Sequence, residues 1–408
     1  MLSYNNACIT EADPMSEETL FRYNPWWEES GAFPAVVERP EAMAPISASL
    51  GNDRVCLLTG LRRTGKTTLM KMLIRDLIGP GGTDPRHICY VSLDDYTLSG
   101  ESILQVVERY RRIHRLESSR KVYLFLDEVA SHGSFEQQLK NLHDSQQVKV
   151  YASSSSASLL QDRKAFLTGR SEVVEVMPLD FAEYLRFKGL SVKKRDEHLL
   201  DAYFEDFLKT GGLPEYVLHG NDEHLRDLVD DIIMKDIAAR YGVRNTGALK
   251  DLFLLLMERA GKVASINKLA NIQKVSVDTV RRYADWFART YLVHLVPRHG
   301  TTNERLLSAK KVYAADTGIR SLFTGFRDKG SLFENYVYLK LRARKPQYVF
   351  QNGSEIDFLT TDSALVEVKY QGEMSAKQAQ LFKDLGARRK ALIRGRADLE
   401  EFLRAPHA

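Results

Sequence analysis

The sequence has few of the features that mark secreted, zinc-binding or membrane proteins. Its 408 residues include only 3 cysteines, Cys8, Cys56 and Cys89, and these have no zinc-binding spacing. Cys56 and Cys89 lie in strand-like segments, so we interpret them as small buried hydrophobic residues. A reducing compartment fits this use of cysteine. No apolar run is long enough to cross a bilayer, and the first residues have no basic-then-apolar signal pattern. We therefore expect a soluble, cytoplasmic protein.

The net charge of the chain is also small. The chain has 58 basic and 54 acidic residues, which gives a net charge of +4. This balance permits a nucleic-acid partner but does not identify one. With 44% hydrophobic and 27% charged residues, the composition is that of a globular protein, and the length suits about two to three domains with their own cores.

Residues 1–50 are interpreted as an N-terminal arm rather than as an independent domain. The adjacent Trp26 and Trp27 suggest that this arm packs against the following domain or against a neighbouring subunit. Stacking of these indoles on an adenine or on a nucleic-acid base is the alternative.

The segment 55–70 has the pattern of a phosphate-binding loop. A buried parallel strand is predicted over Val55–Thr59, and a helical apolar period follows Lys66. Between them the sequence fits GxxxxGK[ST] at every fixed position. Lys66 would reach the β- and γ-phosphates and the Thr67 hydroxyl would ligate Mg²⁺. The residues predicted to bind the nucleotide are Gly60, Arg62, Arg63, Thr64, Gly65, Lys66, Thr67 and Thr68.

A second motif, which is acidic, predicts hydrolysis of the bound nucleotide. The apolar strand that begins at Val122 ends in Asp127 and Glu128. Asp127 would hold Mg²⁺ through water, and Glu128 would act as the general base toward the attacking water. A buried strand that ends in acidic residues by chance is the alternative.

A polar residue that senses the γ-phosphate is expected at the end of the next strand. Val148–Ala152 is strand-like and is followed by four serines, of which we favour Ser155. A serine-rich turn that caps the next helix is the alternative. Because strands and helices alternate through this region, we predict a doubly wound α/β domain with its site at the carboxyl ends of the strands.

The middle of the chain has the spacing of a helix-turn-helix. Helices are predicted over 265–271 and 277–289, followed by a strand-like segment and a turn at Gly300. The second helix would be a recognition helix that presents Arg281 and Arg282 to DNA. A scaffold role without DNA contact remains open.

The last segment contains a second set of chemically active residues. Strands are predicted over 354–359 and 364–370, and their period of two places Glu367 and Lys369 on one face, with Asp357 on the adjoining strand. Carboxylates that bind Mg²⁺ and a lysine that stabilises developing charge suit cleavage of a phosphodiester, and Glu334 would complete the metal ligands. The alternative is a binding module without catalysis.

Taken in order, these motifs resemble the archaeal and bacterial AAA+ ATPases that carry a winged-helix module and a C-terminal uncharacterised domain similar to PD-(D/E)XK nucleases. The family usually has a glycine within the strand-end serines, where this chain has four serines. The resemblance rests on the segments Gly60–Thr68, Leu126–Glu128, Leu167–Arg170, Pro178–Tyr184, Gly211–Glu215, Lys311–Gly318, Phe333–Asn335, Glu355–Phe358 and Glu367–Lys369.

The resemblance implies a domain order and two cofactors, ATP and Mg²⁺. The fold class it implies is α/β, with an AAA+ P-loop core, a helical lid, a winged helix and a C-terminal α/β nuclease-like domain. After the arm of residues 1–50, the expected boundaries are 51–185 for the core, 186–244 for the lid, 245–305 for the winged helix and 306–408 for the nuclease-like domain.

The resemblance also implies a homo-oligomer in which an arginine of one subunit reaches the γ-phosphate of its neighbour. Arg170 is the candidate, and pairing with local acids such as Glu172 or Glu175 is the alternative. Gly212 and Pro214 resemble the loop that closes the lid over the nucleotide, although an ordinary helix-terminating turn has the same pattern.

The function expected from these features is ATP hydrolysis coupled to binding, remodelling or translocation of duplex or branched DNA. One alternative is an ATP-regulated, metal-dependent DNA nuclease. Another is a signalling or protein-remodelling ATPase, in which ATP gates a protein partner and the nuclease-like domain is only a binding module.

Overall fold

The computed structural model describes residues 14–29, 33–145, 147–155, 167 and 169–405. The chain divides into two compact units, of which the first comprises residues 1–60 and 65–177 and the second residues 61–64 and 178–408. Within the described ranges, no helix is long and apolar enough to span a membrane.

The first unit is built on a five-stranded sheet of order β2-β3-β4-β1-β5, in which every neighbouring pair is parallel. Its strands are β1 (Val55–Thr59), β2 (Ile88–Ser92), β3 (Val122–Asp127), β4 (Val148–Ser154) and β5 (Ser171–Glu175). Its helices are α1 (Pro14–Tyr23), α2 (Pro40–Ala48), α3 (Lys66–Ile78), α4 (Ile103–Ile113) and α5 (Phe135–Ser145).

Both faces of this sheet are buried. Successive side chains of a strand point to opposite faces, so Leu57 packs in one apolar cluster with residues of α4 and α5, whereas Leu58 packs in another with residues of α3. Cys56 and Cys89 are buried free cysteines, as predicted. A parallel sheet with helices packed on both faces confirms the predicted α/β core.

The N-terminal arm covers the edge strand of this sheet. The side chain of Asn24 donates a hydrogen bond of 2.8 Å to the carbonyl oxygen of Tyr90 and accepts one of 2.6 Å from its backbone N–H. The indole N–H of Trp27 donates to the carbonyl oxygen of Ile88 at 2.8 Å. One amide side chain thus supplies the pairing that a further strand would give, and it keeps the β2 edge closed.

We expect Asn24→Ala to destabilise the first unit by about 1–3 kcal/mol, because both backbone groups of Tyr90 would lose their partner in a buried position. The measurement is chemical denaturation followed by tryptophan fluorescence, with Trp286 replaced by Phe in all variants so that the signal comes from Trp26 and Trp27. Asn141→Ala is the matched control, since Asn141 is exposed on α5. Equal unfolding midpoints for the two variants would contradict this account of the edge.

The second unit contains two further sheets. One is antiparallel, of order β6-β8-β7, and the other has the order β12-β11-β10-β9, in which only β11 and β12 are parallel. The strands are β6 (Lys262–Ala264), β7 (Val293–Val296), β8 (Lys310–Ala314), β9 (Gln347–Gln351), β10 (Ser354–Leu359), β11 (Ala364–Val368) and β12 (Arg389–Ile393).

Helices connect and flank these sheets, and the π-helix Ile232–Ala239 continues one of them directly. The first five helices of the second unit are α6 (Phe181–Phe187), α7 (Leu200–Thr210), α8 (Pro214–His219), α9 (Asp222–Asp231) and α10 (Thr246–Met257). The remaining helices are α11 (Ile266–Gln273), α12 (Val277–Arg289), α13 (Thr302–Leu307), α14 (Thr317–Thr324), α15 (Lys329–Leu341), α16 (Ala376–Asp384) and α17 (Arg396–Arg404).

Candidate functional site

The predicted phosphate-binding loop joins the end of β1 to the start of α3. Gly65 precedes the helix with φ of +93°, a conformation that side chains with a Cβ rarely adopt. At Gly60 a Cβ would lie 2.4 Å from the carbonyl oxygen of Val176, so only glycine fits there. The two fixed glycines of the motif are therefore required by the backbone itself.

The side chain of Lys66 folds back onto the first residue of the loop. The ammonium of Lys66 donates to the carbonyl oxygen of Gly60 at 3.1 Å, and the side chain is buried. The Thr64 hydroxyl closes the loop by donating to the carbonyl oxygen of Leu61 at 3.0 Å. Thr68 is exposed on the first turn of α3. The loop therefore leads into the N-terminal end of α3, and the N-terminus of a helix is a position that favours an anion.

The two loop arginines contact carboxylates of the second unit, to which residues 61–64 also belong. Arg62 lies 2.8 Å from Asp236 of the π-helix, and Arg63 lies 3.0 Å from Glu215 of α8. The side chains of Arg63 and Glu215 are 44% and 45% exposed, so solvent screens the second pair and it contributes little to stability. Contact of either arginine with a nucleotide stays a prediction.

Asp127 is the centre of the polar network at the carboxyl ends of the strands. One of its carboxylate oxygens accepts hydrogen bonds from the Thr67 hydroxyl at 2.5 Å and from the Tyr90 hydroxyl at 2.8 Å. The other accepts a hydrogen bond from Ser153. Burial and the charge of Asp127 raise the pKa of Tyr90 far above its usual value, so Tyr90 remains a donor.

The oxygen ligands that Mg²⁺ prefers are present at this point. Thr67 supplies a hydroxyl and Asp127 a carboxylate, and these belong to the donor class of magnesium sites beside phosphates. The residues therefore fit the predicted ion, with Thr67 as the ligand and Asp127 as its hydrogen-bonded neighbour.

Glu128 directly follows β3 in an unusual backbone conformation. Its φ of +50° is uncommon for a residue other than glycine, and such strain occurs preferentially at functional sites. Its backbone N–H donates to the Ser153 hydroxyl at 3.0 Å, and its carboxylate accepts from the Ser155 hydroxyl at 3.3 Å. Ser153 thus supports the backbone, while Ser155 contacts the predicted general base.

The remaining serines of this segment have different positions. Ser154 is buried at the end of β4, whereas Ser156 lies outside the described residues. The hydroxyl of Ser155, the serine that we favoured, contacts the Glu128 carboxylate. Its role toward a γ-phosphate stays a prediction.

Arg170 forms an ion pair within its own unit, with Asp144 rather than with Glu172 or Glu175. Its Nε lies 2.8 Å from Asp144 of α5, and this guanidinium lowers the pKa of the Asp144 carboxyl. The side chain of Arg170 is 40% exposed, so it retains access to solvent. Its function as an arginine finger stays a prediction.

Gly212 and Pro214 lie in the second unit. The backbone N–H of Gly212 donates to the carboxylate of Asp316 at 2.6 Å, and Pro214 is the first residue of α8. Burial raises the pKa of Asp316 to about 6, although three backbone N–H groups favour its charged form. A role of Gly212 and Pro214 toward the nucleotide stays a prediction.

The structure brings the predicted C-terminal residues together. Lys369 lies 2.6 Å from Glu367, whose other oxygen accepts the backbone N–H of Asp357 at 3.1 Å. Asp357 in turn accepts the backbone N–H of Val368 at 2.8 Å. Glu334 reaches the same region from α15. The expected pairing of β10 with β11 therefore places these side chains side by side.

Sequence reasoning missed the residue at the centre of this cluster. The ammonium of Lys311 lies 2.7 Å from both Glu355 and Asp357 and 2.8 Å from Glu334, and its side chain is 1% exposed. Lys311 was part of the family resemblance but gave no signal of its own, because its partners are distant in the sequence. The predicted metal ligands Glu334 and Asp357 therefore converge on an ammonium group.

The third predicted metal ligand, Glu367, is engaged by Lys369. In the part of the chain that the structure describes, no group of three or more histidine, cysteine or acidic side chains is arranged to hold a metal ion. The geometry of the cluster thus differs from the magnesium site expected from the sequence.

Two family models match parts of the chain. Residues 52–185 match the AAA domain, and residues 201–330 match a domain of unknown function, DUF8612. The first match supports the prediction of a P-loop ATPase core. The second crosses the expected boundaries at residues 244 and 305, and it leaves the winged-helix and nuclease-like domains as predictions.

Two relatives that are similar over most of their length are uncharacterised proteins. An uncharacterised protein of Methanocaldococcus jannaschii is 27% identical over 359 residues, which are 82% of this chain and 79% of that protein. An uncharacterised protein of Haemophilus influenzae is 25% identical over 341 residues, or 80% of this chain and 84% of that protein. Among solved structures, the Walker-type ATPase of Pyrococcus abyssi is 15% identical, with a TM-score of 0.45 over 71% of this chain and 96% of that one.

We expect Tyr90→Phe to lower the ATP turnover number about tenfold while changing KM little. The variant removes one of the donors that orient Asp127, and a hydrogen bond to a charged group contributes about 1.5–3 kcal/mol. Steady-state ATP hydrolysis measures both constants. Tyr123→Phe is the control, because Tyr123 lies on β3 and is only partly buried. A turnover number that is unchanged in Tyr90→Phe, or lowered equally in the control, would contradict a positioning role for Tyr90.

Proposed function

We propose that this chain is a Mg²⁺-dependent ATPase that works as an oligomer and couples ATP hydrolysis to the binding, remodelling or translocation of DNA. The observation that carries the ATPase proposal is the convergence of Lys66, Thr67 and Asp127 at the carboxyl ends of β1 and β3, with Glu128 beside them. The AAA match over residues 52–185 supports the same conclusion.

Each residue has a distinct task in this proposal. Lys66 and the N–H groups of the loop bind the phosphates and stabilise the charge that develops on them. Thr67 and Asp127 would hold Mg²⁺, which neutralises phosphate charge when bound. Glu128 accepts the proton of the attacking water, and Ser155 orients the Glu128 carboxylate for that transfer. Arg170 of one protomer would complete the site of its partner.

We expect Lys66→Ala to abolish ATP binding, because it removes the charge that faces the β- and γ-phosphates. Glu128→Gln should instead retain ATP binding and lower turnover about 10²–10⁴-fold, since the amide does not accept the proton. Calorimetry of ATP binding and steady-state phosphate release separate these effects. The control is Glu108→Gln, an exposed position of α4 that should keep both properties.

Retained turnover in Glu128→Gln would overturn the choice of general base without affecting the nucleotide site. Retained ATP binding in Lys66→Ala would contradict the nucleotide site itself.

The DNA part of the proposal rests on the second unit. Its elements α10, β6, α11, α12, β7 and β8 follow the order of a winged helix, with a sheet of order β6-β8-β7. Arg281 and Arg282 are exposed on α12, the position of a recognition helix, and Arg281 pairs with Asp278 at 2.7 Å. Together with Lys310 they line a groove of about 660 Å³.

We expect Arg282→Ala to weaken DNA binding and to reduce the slope of log affinity against log salt concentration by about one, because one phosphate contact is lost. Fluorescence anisotropy of a labelled duplex at several salt concentrations measures both effects. Arg195→Ala is the charge-matched control, since Arg195 is 76% exposed elsewhere in the second unit. An equal loss in both variants would indicate a general effect of net charge.

A protein partner in place of DNA is the main rival. Binding of the wild-type chain to a purified protein, with no DNA binding at low salt, would favour that reading. The nuclease reading has no specific support in the geometry, because Lys311 lies where the carboxylates of the C-terminal cluster converge.

A further inference from the structure

A buried charged cluster joins three elements of the second unit. Lys311 comes from β8 of the antiparallel three-stranded sheet, Glu355 and Asp357 from β10 of the four-stranded sheet, and Glu334 from α15. Three carboxylates thus surround one ammonium group.

We propose that the ammonium of Lys311 is a built-in cation that takes the place of a divalent metal in this carboxylate cluster. The native chain then binds no metal ion there. The four-stranded part of the second unit would then lack the metal that phosphodiester cleavage at this cluster needs. This inference is independent of ATP hydrolysis in the first unit.

The donors of Lys311 match the acceptors around it. An ammonium group has three N–H donors, and Lys311 has carboxylate oxygens of Glu334, Glu355 and Asp357 within 2.8 Å. A divalent ion would need the same oxygens at about 2.0–2.6 Å. It would therefore have to displace the ammonium, because two cations cannot share these oxygens at that distance without strong repulsion.

The carboxylates that face this point are also engaged by other donors. The second oxygen of Asp357 accepts the backbone N–H of Val368 at 2.8 Å. Glu367 accepts from Lys369 at 2.6 Å and from the side chain of Gln378 at 3.2 Å. Bound by these partners, the predicted metal ligands have little freedom to turn toward an added ion.

The charge of Lys311 persists despite its burial. Desolvation lowers the pKa of a buried lysine, but Asp357 and Glu334 outweigh this effect and hold it well above the usual value. The ammonium of Lys311 is therefore the positive charge that faces these carboxylates.

Binding of Mn²⁺ to the wild-type chain, measured by electron paramagnetic resonance without nucleotide, tests the proposal directly. We expect wild type and Asp357→Asn to bind the same amount of Mn²⁺, because no ion depends on this carboxylate. Loss of a bound Mn²⁺ ion in Asp357→Asn would overturn the proposal. This comparison does not depend on the folding of any lysine variant.

Lys311→Met tests the same inference in the opposite direction. Without the ammonium, the cluster should take up a stoichiometric Mn²⁺ ion, and the unfolding midpoint should rise with Mn²⁺ concentration. Both effects should disappear in Lys311→Met/Asp357→Asn. A folded Lys311→Met chain that gains no Mn²⁺ would contradict the assignment of Lys311 to the cation position.

A second buried lysine provides the matched control. Lys149 of β4 is 2% exposed, but its hydrogen bonds go to neutral groups, the carbonyl oxygen of Arg54 at 2.6 Å and the side chain of Asn52 at 3.2 Å, and the carboxylate of Glu172 lies 3.8 Å away. Lys149→Met should destabilise the chain, as Lys311→Met does, because a buried lysine is lost. It should bind no additional Mn²⁺. A gain of Mn²⁺ in this control as well would attribute the effect to loss of positive charge and would overturn the proposal.

Discussion

The hydrogen bonds to the carboxylate of Asp127 hold the nucleotide site together. They connect the end of β3 to β2 through Tyr90, to β4 through Ser153 and to the first turn of α3 through Thr67. Because the strands are parallel, their carboxyl ends meet at one edge, and a single acid there contacts three neighbouring elements. The position of Glu128 follows from this, since it is the next residue and turns into the site with positive φ.

The second unit depends on a different interaction, the compensation of buried carboxylate charge. Several acidic side chains are buried together, and a group of that kind is stable only when a cation or protons offset their charge. In this chain the cation is supplied covalently by Lys311, on a strand of the neighbouring sheet. The same interaction links the two sheets of the unit, so the cluster has a structural role.

Residues that belong to short motifs could be predicted from the sequence, whereas contacts between residues distant in the sequence could not. Lys66, Thr67, Asp127 and Glu128 were predicted because their motifs are short and lie at the ends of apolar strands. Asn24 and Tyr90 were missed as partners, since they are 66 residues apart and only the fold makes β2 an edge strand. Lys311 was missed for the same reason, because it is 46 residues from Asp357 and belongs to another sheet.

The proposed function couples ATP hydrolysis at the Asp127–Glu128 site to DNA. The most direct test is the rate of phosphate release from ATP by the wild-type chain with Mg²⁺, measured with and without duplex and branched DNA at low salt. We expect measurable hydrolysis that DNA accelerates and that Glu128→Gln lowers about 10²–10⁴-fold under both conditions. Hydrolysis that is unaffected by DNA, together with no DNA binding at low salt, would contradict it.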